Sequence, residues 1–190
     1  MINEDLSLVE NTLQGDKEAF GQLVKKYETM VFNLAYRMVG SREEAADMAQ
    51  EAFLRAYRSL STYRAEFKFS TWVCRIASHA CIDHLRRQRV QTLPGEDLER
   101  LAGDGDGLSP HEEYEQTETA GIIKQAIASL PEKYRLAILL RYAEDMTYED
   151  IALALDMPLG TVKTHLRRAR LMLKDRLNLS DEGVLSIEMC

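Results

Sequence analysis

Apolar residues recur every three or four positions along most of this chain, and that spacing predicts helices and no strands. Phe20, Leu23, Val24, Tyr27, Val31, Leu34 and Met38 form one such stripe, after a candidate cap at Asp16 and before a stop at Gly40. Ser41 with Glu44 reads as a capping box opening a second helix, whose inward stripe is Ala45, Met48, Ala49, Ala52, Phe53, Ala56 and Leu60. The alanines permit close helix packing. A third helix is predicted over Thr71 to Arg89, with Val73, Ile76, Ala77, Ala80 and Leu85 buried. The periodicity then fails in QTLPGEDLERLAGDGDGLSPHEE, rich in Gly, Pro and acids, and resumes from Tyr114 to Leu130 and from Pro131 through Ala143. The expected architecture is all-α: a helical domain over 1–90, a flexible acidic linker over 91–113, a second helical domain over 114–177 and a tail over 178–190.

The segment TYEDIALALDMPLGTVKTHLRRARLMLK, Thr147 to Lys174, reads as a helix-turn-helix. Thr147 and Asp150 form a weaker kind of capping box before Ile151, Ala152 and Leu155. Pro158 and Gly160 place a turn, Gly160 being the residue that accepts unusual backbone angles. From Thr161, Val162, Leu166, Ala169 and Leu173 make an inward stripe, and Lys163, Thr164, Arg167 and Arg168 lie opposite. From Thr161 to Arg176 six cations face one anion, a net of about +5 in a chain of formal charge −7. Phosphates attract such cations whatever the sequence, while Arg, Lys and Thr near the start of the helix suit base edges.

Charge is segregated elsewhere as well. Between Glu96 and Glu118 nine acidic residues meet only Arg100, and a pI near 5.2 argues against indiscriminate coating of nucleic acid. Weak DNA binding by the chain alone, with a partner supplying affinity, is the expectation. The sequence has no long uncharged apolar run and no leader-like N-terminus, so it predicts a cytoplasmic protein without membrane insertion. Cys74, Cys81 and Cys190 are too few and scattered for a disulfide framework.

Between the second and third helices lies STYRAEFKFSTW, where Tyr63, Phe67 and Phe69 interleave with Arg64 and Lys68. Aromatics beside a helix usually belong to a core, and Trp72 alone suits burial. The loop as a whole also suits unstacked bases, which need π-faces to stack on and cations for their phosphates.

Together these residues resemble bacterial sigma factors of the extracytoplasmic-function group within the sigma-70 family. In SREEAADMAQEAFLRAYRSL, the resemblance implies contacts to core RNA polymerase through Asp47, Gln50, Glu51, Phe53 and Arg55. FSTWVCRIASHACIDHLRR is similar to the part that melts and reads the promoter −10 element, implying DNA contacts through Tyr63, Arg64, Lys68, Phe69, Ser70, Thr71, Trp72, Arg75, His79, Arg86 and Arg87. The family commonly has Asn where this chain has His79. LPEKYRLAILLRYAEDMTYEDIALAL with GTVKTHLRRAR resembles the −35 reader, implying Thr161, Lys163, Thr164, Arg167, Arg168 and Arg170 as its contacts. The resemblance further implies promoter DNA and an anti-sigma factor as partners, no cofactor and no enzymatic activity.

Other readings compete. Cys74, Cys81 and His84 fall within roughly 80° on an ideal helix, but three ligands on one helix do not close a structural zinc site. No orienting group or oxyanion-hole signal supports a Cys–His nucleophile. GTVKTHL also looks like the recognition helix of LuxR-type regulators, which would place an alternating strand and helix receiver in front of it; this chain has none. A helical adaptor without DNA contact is the third reading.

Overall fold

Side-chain caps set the helix frame. The structure, a computed structural model, describes residues 4–91 and 118–177; among these there are helices and tight turns and no strand. Helix α1 spans Glu4–Leu13 and α2 Lys17–Val39. Asp16 accepts from the N–H groups of Glu18 and Ala19 at 2.9 and 3.2 Å, and Gly40 ends α2 with φ of 84°. α3, Arg42–Arg58, begins with half the expected capping box: Ser41 accepts from Glu44 N–H at 3.4 Å, but the Glu44 carboxylate turns to His84 and Gln88 on the next helix. α4 spans Phe69–Gln91, two residues earlier than the stripe predicts. Val73, Ala77, Ala80 and Leu85 are buried as expected, and Ile76 is half-buried.

α2, α3 and α4 pack around one core, with α1 laid across α2. Asp5 fastens α1, accepting from Lys26 Nζ and the Tyr27 hydroxyl, each at 2.6 Å. Burial, and then Asp5, pushes the Tyr27 phenol above its usual range.

The second group contains α5, Glu118–Ala128, and α6, Glu132–Ile138, which follows Pro131. The helix predicted through Ala143 changes character at Leu139, where a wider π-turn over Leu139–Ala143 sends the Glu144 N–H to the Leu139 carbonyl at 3.2 Å. α7 is Tyr148–Ala154 and α8 Leu159–Leu177. The Thr147–Asp150 capping box is complete, and the two side chains also bond directly at 2.8 Å. One backbone assignment is corrected. The left-handed residue between α7 and α8 is Asp156, at φ 52°, and Gly160 lies inside α8. Asp tolerates that region because its short polar side chain bonds locally.

The two groups touch. α7 lies on α4, and the end of α2 meets α6 and the π-turn. Arg135, buried on α6, donates to the Leu130 carbonyl at 3.1 Å and across to the Met38 carbonyl at 2.6 Å. The acidic linker beyond Gln91, Tyr114, the tail and Cys190 lie outside the described residues.

Candidate nucleic-acid interface

α8 is positioned by its stripe: Val162, Leu166, Ala169 and Leu173 are buried against α6, α7 and α5. That turns Lys163, Thr164, Arg167 and Arg168 to solvent, with Thr161 and Arg170 half-buried beside them. Two of these side chains are already oriented. The Thr164 hydroxyl donates to the Gly160 carbonyl at 2.9 Å, and Arg168 donates to the Tyr134 hydroxyl at 3.2 Å, which holds that phenol below its usual range. His165 meets the Tyr134 ring edge-on at 5.3 Å; burial, then Lys133 and Arg168, holds it below the usual histidine range. Its protonated form is thus disfavoured beside the cations of this face.

The loop before α4 is tied down more than its composition suggests. The Tyr63 hydroxyl donates to the Phe67 carbonyl at 2.7 Å, and the Tyr63, Phe69 and Trp72 rings stand 5.4–5.6 Å apart in tilted and edge-on pairs. Phe69 is fully buried, its ring also 5.3 Å from Tyr27, and so offers no face to a base in this arrangement. Thr71 is buried as well and donates to Asp150 at 3.4 Å. In this arrangement Phe69 supports the loop from within and Thr71 is engaged by α7. Arg64 and Lys68 are exposed, Ser70, Phe67 and Trp72 half-buried. Arg75, His79, Arg86 and Arg87 are exposed along α4, with Arg75 3.4 Å from Asp156.

On α3, Asp47 and Gln50 are exposed. Glu51 pairs with Arg55 at 2.7 Å, which holds its carboxyl below the usual range, and Arg55 reaches Asp83 on α4 at 3.3 Å. Phe53 is 8% exposed and forms part of the wall of an open groove of about 880 Å³ between α2 and α3. Val24 of the α2 stripe lines the same groove with Phe32, Leu54 and Tyr57, three residues that sequence reasoning did not single out. A signal existed: Leu54 and Tyr57 stand off the inward stripe of α3 and are exposed. Cys74 and Cys81 are fully buried, which pushes the Cys81 thiol to about 12 and Cys74 also upward, while His84 faces Glu44 at 3.4 Å. Among the described residues no cluster of His, Cys, Asp or Glu is placed to hold a metal, and no helix is long and apolar enough to cross a membrane.

Sigma-70 region 2 matches residues 23–90 and Sigma-70, region 4 matches residues 120–173. The ECF RNA polymerase sigma factor SigW of Bacillus subtilis (strain 168) is 35% identical over 89% of this chain and 94% of its own length. The chain belongs to the extracytoplasmic-function sigma factors of the sigma-70 family. RNA polymerase sigma-H factor of Pseudomonas aeruginosa is 40% identical over 88% of this sigma factor and 90% of the relative. The ECF RNA polymerase sigma-E factor of Haemophilus influenzae is 38% identical over 91% and 95%. Two solved structures share the fold: CnrH in complex with the cytosolic domain of CnrY, with TM-score 0.68, 20% identity and coverage of 93% and 98%, and RpoE in complex with the anti-sigma factor NepR from Bartonella quintana, with TM-score 0.69, 22% identity and coverage of 85% and 98%. Region 2 occupies the place where a LuxR-type regulator would carry its receiver, and that reading of the sigma factor is not favoured.

Proposed function

We propose that this sigma factor works as a dissociable specificity subunit: the first domain, residues 1–90, docks on core RNA polymerase and captures melted −10 bases, and the second, residues 114–177, reads the −35 duplex. The single observation that supports this division best is the α8 face, where Lys163, Thr164 and Arg167 stand exposed on a helix fixed by a four-residue buried stripe. Cations on a rigid, open helix can enter a major groove and meet guanine O6 and N7. The α2–α3 groove, with Gln50 on its rim and Leu54 and Tyr57 exposed, supplies apolar area for docking on polymerase.

Opening a duplex needs unstacking, at a few kcal/mol per base, and a protein that burns no nucleotide must trap the exposed bases. Arg64, Lys68 and the accessible edges of Phe67 and Trp72 compose that trap, with Arg75, Arg86 and Arg87 on the phosphates. The linker, residues 91–113, raises the effective concentration of one domain at the promoter once the other is bound. On this reading the chain is a non-catalytic cytoplasmic subunit whose working faces an anti-sigma factor masks; RpoE, which shares its fold, is in complex with the anti-sigma factor NepR.

Run-off transcription with core polymerase and a promoter library, with the starts sequenced, tests the function. Enriched −35 and −10 sequences at a fixed spacing are expected. Transcription no different from core alone would reject it.

A further inference from the structure

Arg168 stands exposed on α8, yet its guanidinium is tethered. Its Nη1 donates to the Tyr134 hydroxyl at 3.2 Å, on a helix 34 residues earlier in the chain. Tyr134 lies in the first turn of α6, and its ring is held from two directions: the His165 ring meets it edge-on at 5.3 Å, and Lys133 Nζ lies 5.0 Å from its centroid. Only 8% of the residue is exposed, because α6 packs on α8. The phenol is therefore a fixed acceptor, and the long arginine is the partner that adjusts to it.

An exposed arginine samples many rotamers, and a base contact must first freeze them. Holding one terminal nitrogen before DNA arrives removes part of that entropic cost and fixes the direction in which the planar fork points. The guanidinium carries more N–H donors than the hydroxyl can use. With Nη1 on Tyr134, the edge formed by Nε and Nη2 keeps its parallel donors, the pair that guanine O6 and N7 accept. The ring and the oxygen of Tyr134 are separable: Phe keeps the ring against His165 and Lys133 and deletes only the acceptor.

We propose that Tyr134 is a positioning residue for −35 recognition: its hydroxyl aims the Arg168 fork, so that α6, outside the helix-turn-helix, helps set the base preference at the position Arg168 reads. This rests on the reading of α8 as the −35 reader. Tyr134 touches no base in this scheme and acts only through Arg168. Removing its hydroxyl relaxes the choice at one base pair and spares the others, whereas loss of a structural prop weakens every position together.

The full chain assembled with core polymerase is offered a duplex promoter library randomised over the −35 segment, and the bound molecules are sequenced. Parent, Tyr134→Phe, Arg168→Ala and the double variant are compared. Tyr134→Phe is expected to cut the preference for the favoured base about tenfold at the position that Arg168→Ala flattens, with other positions changed less than about twofold. In the Arg168→Ala background the same substitution should do nothing further, since the hydroxyl acts only through that side chain. A uniform loss across positions, a loss at a different position, an undiminished effect without Arg168, or no change would each overturn the proposal. On the free chain, NMR relaxation of the arginine Nε–H groups reads the positioning without DNA: Arg168 is expected to be more ordered than the exposed Arg167 in the parent and to loosen in Tyr134→Phe. An Arg168 as mobile as Arg167 in the parent refutes the tether. A parent that selects no −35 sequence would count against the sigma-factor function, while the relaxation measurement would still judge whether Tyr134 holds Arg168.

Discussion

Truncating Phe69 to Ala distinguishes an aromatic that stacks on bases from one that holds a loop together. Its ring is fully buried and stands 5.3, 5.6 and 5.4 Å from Tyr27, Tyr63 and Trp72. Removing a buried phenyl group costs about 3–5 kcal/mol through lost burial and the cavity left behind, with the broken ring contacts included in that range. Total stability is commonly about 5–15 kcal/mol, so Phe69→Ala should raise the unfolded fraction more than about a hundredfold. Urea unfolding followed by the emission of Trp72, the sole tryptophan, provides the assay. Lys68→Ala, on an exposed neighbour, should change stability by less than about 0.5 kcal/mol yet slow strand opening, seen with a base-unstacking fluorophore in the −10 region. A Phe69→Ala chain that unfolds at the parent's urea concentration, while losing strand opening, would refute the placement of this ring in the core.

Thr147→Ala removes a cap that accepts from Asp150 N–H at 3.1 Å, and should cost about 1 kcal/mol in the thermal unfolding of the second domain. Glu144→Gln should stabilise the chain at neutral pH. The folded carboxyl is raised by burial, so its ionised form is a penalty that is present above the folded value and relieved as pH falls through it. The advantage of the variant over the parent should shrink on acidification in urea titrations, and an advantage that grows would contradict the assignment. Arg167→Ala should cost about 1–3 kcal/mol of promoter discrimination if the side chain reaches a base, and only lower the salt slope if it touches phosphate. Leu54→Glu should weaken capture of core polymerase in a pull-down while leaving the melting temperature near the parent's, because the side chain is 46% exposed.

Stripes were the legible part of the sequence. The apolar positions named for α2, α3, α4 and α8 are in large part the buried ones, because a helix fixes which residues share a face. The cation-rich side of α8 could be read for the same reason. Phe69 could not, since aromatic residues among cations look alike whether they cover a base or a core, and the choice depends on Tyr27, far away in the chain. The π-turn at Leu139 has no marker in LLRYA, and Asp156 took the strained backbone position that Gly160 seemed suited to. Asp5 and Glu144 were missed because their partners, Lys26 with Tyr27 and Arg37, come from other helices. The contact of α7 with α4 joins residues 79 positions apart, beyond any local pattern.

The carbonyl of Met38 belongs to the last turn of α2, where no further amide of its own helix follows to meet it. Arg135 meets that carbonyl from across the divide, while the other terminal nitrogen of the same guanidinium meets the Leu130 carbonyl. One buried cation thus serves carbonyls of both groups of helices at once, so shortening its side chain would be felt on either side of the contact.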